Sequence, residues 1–303
     1  MMQTPAYAYY PGCSQTGTAR EYDLSVRSVF KALGMELAEV DDWSCCGSTP
    51  AHSLDTGLMA ALAARNLKQV QKMGLEQALT PCPSCLGALR TASRHLVHPE
   101  KRAAMNELLD ESLEEDVPSR SILQALLEDY GLDKLREQVV VPLKGLKAVP
   151  YYGCLMTRPA DLMRFDNPEN PTSMDETLKI LGATVPEFPF KVECCGASLG
   201  VPRQEMVLRL SHNILSMAAQ VGGNAVVVAC PLCHQNLDLR QSQINRANKS
   251  NHNMPVLYIT QAIGLALGLM PEELGLNKHA VSVRGLLDTI SGDAAVEEKG
   301  AAS

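Results

Sequence analysis

The stretch Thr80-Pro81-Cys82-Pro83-Ser84-Cys85 decides the fold, because it recurs later in the chain as Ala229-Cys230-Pro231-Leu232-Cys233. A valine-rich apolar run, Ala225 to Ala229, leads into the second copy and predicts a buried, parallel strand that ends at Cys230. Gln77 to Thr80 is a weaker counterpart before the first copy. Proline suits the first position of a helix, so each copy is predicted to be a turn from a strand into a helix.

The similarity extends outward on both sides of these copies. Cys45-Cys46-Gly47 matches Cys194-Cys195-Gly196, and Tyr9-Tyr10-Pro11-Gly12-Cys13 matches Tyr151-Tyr152-Gly153-Cys154. No cysteine is left over, which indicates a tandem duplication. The two sets of five, in the same order, are Cys13, Cys45, Cys46, Cys82 and Cys85, and then Cys154, Cys194, Cys195, Cys230 and Cys233.

Helical patterns alternate with short strand patterns in both halves, which predicts an α/β fold built from two similar domains. We expect the first domain at 1–140 and the second at 141–290. The first contains a charged, helix-prone segment at about 98–136 that we interpret as a helical insertion. Residues 291–303 are rich in Ala, Gly and Glu and are predicted to be a disordered tail.

Composition narrows the class of protein. The chain has 303 residues, 46% of them hydrophobic, and a formal net charge of −7. This balance argues against a nucleic-acid partner, which would normally require a basic surface. Met1 to Tyr10 has no secretory pattern, and Val256 to Met270 has about the length of a buried core helix rather than a membrane span. We therefore expect a cytoplasmic protein without a membrane span.

Ten cysteines in a reducing compartment favour metal binding or redox chemistry over disulfides. Zinc is an alternative, since Cys-x-x-Cys is a common half-site, but zinc takes four ligands and leaves a fifth thiolate unexplained. Iron–sulfur binding fits five thiolates better. Neighbouring cysteines such as Cys45 and Cys46 reach different irons of one cluster more readily than the same iron. Gly47 and Gly196 are expected to permit a tight turn around an inorganic centre, or simply to form an ordinary turn.

The doubled pattern of one Cys, then Cys-Cys-Gly, then Cys-Pro-x-Cys resembles the cysteine-rich CCG domain. Two copies in a chain of this length resemble the B subunit of heterodisulfide reductase. The resemblance implies two similar Rossmann-like CCG domains, each binding a noncubane [4Fe–4S] cluster through its five cysteines. Zinc in one of the two sites stays a minor alternative. Relatives of this family serve in sulfur oxidation and in lactate, glycolate and succinate metabolism.

The function that this resemblance implies is a redox subunit that reduces or forms disulfides, acting on a disulfide or thiol substrate. Two clusters facing a shared cleft would match the two electrons of a disulfide. The chain contains no ferredoxin-type Cys-x2-Cys-x2-Cys-x3-Cys-Pro run and no Gly-x-Gly-x-x-Gly after a strand. We therefore expect a partner subunit that carries cubane [4Fe–4S] clusters. The resemblance implies that this is a ferredoxin-like iron–sulfur C subunit, which links to a flavin-containing A subunit.

Two other functions remain open at this stage. One is a CCG-domain subunit of a complex of the lactate or glycolate oxidase type. The other is a non-catalytic scaffold stabilised by metal.

A few side chains near the motifs are weaker candidates. His234 follows Cys233 and is a candidate proton donor, or else a histidine on a helix surface. Lys191 and Arg203 flank the second Cys-Cys-Gly and are candidates to contact an anionic substrate, or else solvated charges. Trp43 is interpreted as core packing or shielding of a cluster.

Overall fold

The computed structural model describes residues 7–290 and contains two parallel β-sheets. The first sheet has the strand order β2-β1-β3-β4 and the second the order β5-β6-β7. Thr184 forms a parallel bridge with Lys147, next to β5, at the place that β2 takes beside β1. The strands are β1 (Tyr7–Tyr9), β2 (Leu37–Glu39), β3 (Ala78–Thr80), β4 (Ser119–Ser121), β5 (Ala148–Tyr151), β6 (Ala225–Val228) and β7 (Val256–Tyr258).

Helices connect the strands as crossovers of α/β units, because parallel neighbours cannot be joined by a hairpin. In the first half they are α1 (Cys13–Thr16), α2 (Arg20–Ala32), α3 (Pro50–Leu54), α4 (Thr56–Lys72), α5 (Pro83–Leu96), α6 (Pro99–Glu107), α7 (Ile122–Ala125), a π-helical turn (Leu126–Tyr130) and α8 (Leu132–Glu137).

In the second half they are α9 (Ala160–Met163), α10 (Ser173–Ile180), a 3-10 turn (Ala197–Gly200), α11 (Gln204–Gln220), α12 (Pro231–His234), a π-helical turn (Gln235–Leu239), α13 (Gln241–Asn248), α14 (Ile259–Ala266) and a 3-10 turn (Leu276–Lys278). Residues 284–290 are also helical.

The strand-to-helix turns are confirmed. Strands β3 and β6 end just before the two Cys-Pro-x-Cys motifs, and α5 and α12 begin at Pro83 and Pro231. All four residues of β6 are buried, as expected of a central parallel strand. The α/β class and the duplication are confirmed as well, since the two halves repeat the same parallel order of strands.

The segment at about 98–136 contains more than an added helix. Its first part forms α6, whereas Ser119–Ser121 is β4, which pairs with β3 inside the first sheet. Strand β7 holds the same place beside β6 in the second sheet. Only the part of the segment before β4 is therefore extra relative to the second half. The domain limits at 140 and 290 stay predictions.

The segment from Val256 to Met270 begins as strand β7 and only then continues as α14, so the expectation of a single core helix was wrong for its first residues. Within residues 7–290, no helix is long and apolar enough to cross a membrane. The predicted disordered tail, 291–303, lies outside the described residues.

One hydrophobic core contains residues of both halves, and a second core lies within the first half. Helix α2 of the first half packs on α14 of the second, and α10 of the second half packs on α8 of the first. At this interface the rings of Tyr22 and Tyr258 stack with their centroids 4.0 Å apart, and the hydroxyls of Ser25 and Thr260 lie 2.7 Å apart. Burial of apolar area from both halves stabilises this arrangement.

Candidate functional site

The ten cysteines form two groups, one in each half. Cys13 and Cys82 follow the ends of β1 and β3, and chain segments that leave the same edge of a parallel sheet approach each other there. The Sγ atoms of Cys46 and Cys85 lie 3.3 Å apart, and those of Cys195 and Cys233 lie 3.7 Å apart. The structure therefore brings distant motifs of each predicted set together.

The two members of each vicinal pair have different surroundings. Cys45 is exposed and Cys46 buried, and likewise Cys194 is exposed and Cys195 buried. This division fits the expectation that neighbouring cysteines reach different parts of one polynuclear centre.

Glycines make these turns sterically feasible. Gly47 and Gly196 have φ of 73° and 91°, which residues other than glycine rarely adopt. A Cβ on Gly196 would lie 2.7 Å from Cγ2 of Val207. The predicted tight turn is thus present at both Cys-Cys-Gly motifs.

A second pair of glycines lies directly against the sulfurs. Gly12 and Gly153 have φ of 76° and 68°. A Cβ on Gly12 would lie 3.0 Å from Sγ of Cys85, and one on Gly153 would lie 2.8 Å from Sγ of Cys233. The glycine before the first cysteine of each set therefore provides the space in which the last cysteine lies.

A tyrosine that the sequence analysis did not single out supports each group. The Tyr10 hydroxyl donates to the Ser44 carbonyl at 2.7 Å, and the Tyr151 hydroxyl donates to the Glu193 carbonyl at 2.6 Å. Each accepting carbonyl belongs to the residue just before Cys-Cys-Gly. Tyr10 therefore corresponds to Tyr151, and each lies three residues before the first cysteine of its set.

Burial, and then the neighbouring thiolates, raise the pKa of both tyrosines. For Tyr10 the cysteines that contribute are Cys85, Cys46, Cys45 and Cys13. For Tyr151 they are Cys233, Cys195, Cys154 and Cys194. Each tyrosine therefore lies beside four cysteines of its own set.

Hydrogen bonds between the thiols lower the pKa of some cysteines and raise the pKa of others. Bonds with Cys45 and then with Cys85 lower the pKa of Cys46 to about 3. A bond with Cys154 lowers the pKa of Cys194 to about 6. The pKa of Cys233 is raised, first through its bonds with Cys195 and Cys230. Thiolates are the form that ligates metals, so this mutual stabilisation suits a metal centre.

The chemistry of the donors fits an iron–sulfur cluster. All ten cysteines are free, and the Sγ–Sγ distances above are far longer than the roughly 2.05 Å of a disulfide. The buried side chain of Gln15 independently indicates that a polar group could bind beside it. Neither the amide nitrogen nor the oxygen of this side chain has a hydrogen-bond partner among residues 7–290. Such burial costs about 1–3 kcal/mol per group unless something polar contacts it.

The two groups approach each other at the interface between the halves. A small cavity of about 10 Å³ is bordered by Cys154, Cys195, Cys230 and Cys233, and also by Pro83 of the first half. Tyr22 lies between the groups, since burial and then Cys230 and Cys82 raise its pKa. The two sites therefore adjoin one contact region.

The weaker candidates have structural surroundings. Lys191 is buried, with Nζ 2.7 Å from Oδ1 of Asp175 and 2.9 Å from the Pro171 carbonyl, so it is neither a solvated charge nor a free anion-binding group. Trp43 packs edge-on against Tyr10 with ring centroids 5.7 Å apart, which agrees with a packing role. Arg203 is exposed next to the start of α11.

His234 is buried, so its interpretation as a surface histidine was wrong. Its Nε2 donates to the Val256 carbonyl at 3.0 Å, and burial lowers its pKa. His234, Asp238 and His279 form a compact group, but both oxygens of Asp238 accept backbone N–H bonds, from Ala280 at 2.7 Å and Val281 at 3.1 Å. These bonds fasten the segment after α14 onto the second half.

Comparison with known proteins agrees with this geometry. The family model for the CCG cysteine-rich domain matches residues 7–90 and 148–238, more than half of the chain. The chain belongs to the CCG family. Both copies of the CCG domain predicted from the cysteine pattern are thereby confirmed.

Three relatives match over most of their length. The 8-methylmenaquinol:fumarate reductase membrane anchor subunit of Wolinella succinogenes is 33% identical, covering 92% of this chain and 98% of its own. A protein of Archaeoglobus profundus that is named as like the B subunit of heterodisulfide reductase is 30% identical, covering 88% and 92%. The B subunit of the ferredoxin:CoB-CoM heterodisulfide reductase of Methanosarcina mazei is 30% identical, covering 89% and 92%. This CCG protein thus resembles the B subunits of heterodisulfide reductases along most of its length.

A solved structure shares the fold. A hypothetical protein from Helicobacter pylori superposes with a TM-score of 0.71 at 14% identity, covering 93% of this chain and 53% of that one. At this identity the likeness concerns the fold of the CCG protein alone.

Proposed function

We propose that this CCG protein is an iron–sulfur redox subunit that reduces or forms disulfides. The observation that carries the proposal is the pair of five-cysteine groups that adjoin one contact region between the halves. The relatives named as B subunits of heterodisulfide reductases support it at about 30% identity. A scaffold held by zinc would need four thiolates per ion, and each half gathers five.

The proposed cofactors are two noncubane [4Fe–4S] clusters. Cys13, Cys45, Cys46, Cys82 and Cys85 would hold the first, and Cys154, Cys194, Cys195, Cys230 and Cys233 the second. Bound there, the clusters would supply one-electron transfer, and two of them match the two electrons of a disulfide. The protein itself orients the ligands: Gly12 and Gly153 leave room for the last cysteine of each set, and Tyr10 and Tyr151 hold the Cys-Cys-Gly turns.

The substrate would reach the contact region bordered by Pro83 and Cys154, where an apolar lining excludes water. The Gln15 amide is buried beside Gly12 of the first group, where it offers both a donor and an acceptor for a polar group. We expect electrons to arrive from a ferredoxin-like C subunit and a flavin-containing A subunit, with the complex in the cytoplasm.

The first experiment measures iron, acid-labile sulfide and zinc per chain after anaerobic purification, with EPR after oxidation. Two [4Fe–4S] clusters require about eight iron and eight sulfide. Zinc without labile sulfide would refute the redox proposal and favour the scaffold.

Turnover with a small disulfide is then compared between Cys82→Ala and Cys230→Ala, with Ser84→Ala as the matched control on the same turn. Loss of turnover in both cysteine variants, with the control intact, supports the use of both centres. Retention of turnover in either cysteine variant would contradict the two-cluster scheme.

A second candidate function follows from the Wolinella relative, which is named as part of a fumarate reductase and has the higher identity, 33%. In this alternative the same two centres pass electrons within a quinol- or fumarate-linked complex, and no thiol is a substrate. Full clusters that are reoxidised by the purified fumarate reductase partner, but not by disulfides, would favour it. The lactate or glycolate type of complex stays a prediction.

A further inference from the structure

Asn236 is placed to donate a hydrogen bond to a ligand sulfur of the second centre. It lies in the π-helical turn that follows α12, and only 2% of its surface is exposed. Its Nδ2 is 3.5 Å from Sγ of Cys195 and 2.9 Å from the Ala197 carbonyl. Its Oδ1 accepts from Nε of Arg240 at 3.2 Å, which directs the N–H groups toward Cys195.

The equivalent position in the first half cannot do this. Asn236 is the third residue after Cys233, and the third residue after Cys85 is Ala88. There the helix continues as regular α5 with no π-helical turn. The methyl group of Ala88 offers no donor to the buried sulfur of Cys46.

The backbone N–H of Ala197 also lies 3.4 Å from Sγ of Cys195. The side-chain amide of Asn236 is therefore a second donor to this sulfur, and the corresponding position of the first half lacks it.

We propose that Asn236 is a positioning residue that raises the reduction potential of the second centre and leaves that of the first unchanged. The proposal rests on the proposed function, because it requires a cluster at each site. Hydrogen bonds to ligand sulfurs stabilise the more negative, reduced form and so raise the potential. Because Asn236 bonds to a sulfur of the second group, the potential of the second centre can change without that of the first.

The test is a redox titration followed by EPR on the full-length, cluster-loaded protein. Removal of the donor in Asn236→Ala is expected to move one of the two midpoint potentials to a more negative value. The expected change in the one-electron equilibrium constant is about tenfold, equal to about 59 mV. The other midpoint potential is expected to stay at its wild-type value.

A matched control separates this effect from a general loss of structure. Asn248→Ala removes a half-buried helical asparagine whose amide bonds to the Leu208 and Ile244 carbonyls. This control is not expected to move either potential.

If an Asn236→Ala protein retains all its iron and its midpoint potentials do not change, this inference is wrong and the proposed function is unaffected. The same conclusion follows if Asn236→Ala moves both potentials equally. Absence of labile sulfide in the wild-type protein would instead overturn the proposed function, and this inference with it.

Discussion

Gly153 offers a direct test of the close packing, here called the cradle, between Gly153 and Cys233 in the second group of cysteines. Its φ of +68° disfavours any side chain, and a Cβ there would lie 2.8 Å from Sγ of Cys233. In Gly153→Ala the backbone strain costs about 1–2 kcal/mol. To restore an ordinary contact of 3.4 Å, the sulfur must also move by roughly 0.6 Å. Metal–ligand distances tolerate changes of only about 0.2 Å, so we expect the second centre to be lost.

Gly222→Ala is the matched control, because Gly222 has φ of +79° but open space where the Cβ would go. The free energy of unfolding, measured in urea on the metal-free proteins, is expected to fall by about 1–2 kcal/mol in both variants. Iron and labile sulfide per chain are expected to fall by about half in Gly153→Ala and to stay at the wild-type value in Gly222→Ala. Equal, full iron in both variants would refute the reasoning about the cradle.

Three further results are expected. Tyr10→Phe removes the hydroxyl that bonds to the Ser44 carbonyl, and it is expected to lower the free energy of unfolding in urea by about 0.5–1.5 kcal/mol. It is also expected to speed the loss of iron to a chelator. An unchanged rate of loss would contradict the role of Tyr10 in supporting the turn. Lys191→Met leaves Asp175 buried without its cation and is expected to lower the free energy of unfolding in urea by about 3–5 kcal/mol. A change of less than about 1 kcal/mol would show that the ion pair is dispensable. Burial raises the pKa of Asp238 to about 6, so its charged form opposes folding increasingly as pH rises from about 4 to 6.5. The free energy of unfolding of Asp238→Asn in urea is therefore expected to rise relative to wild type over that range, by up to about 3 kcal/mol. A difference that does not depend on pH would contradict this.

The elements that could be predicted from the sequence are those with a chemical or periodic signature. The doubled spacing of the cysteines is too regular to arise by chance, so it identified both sets and the duplication. The valine run of β6 and the prolines at the start of α5 and α12 predicted the strand-to-helix turns, because each residue type has a local preference there.

What the sequence could not predict depends on contacts between distant residues. Tyr10 reads as an ordinary core tyrosine until the fold places its hydroxyl on the Ser44 carbonyl. Asn236 has no local signal, since only a π-helical turn directs its amide toward Cys195. Strand β7 was obscured because an apolar run beside a buried helix has no distinct period. For Tyr10 and Tyr151, the one signal available was that a tyrosine occurs three residues before the first cysteine of each set.

The packing of α2 on α14 and of α10 on α8 has a consequence for the origin of the chain. Each half presents the surface that the other half requires, which is the property of a self-complementary, isologous dimer. A single half would carry both surfaces, and two copies of it could close onto each other around a twofold axis. The chain therefore has the geometry of a covalently joined dimer, in which equivalent positions can differ, as Gln15 and Met156 or Ala88 and Asn236 do.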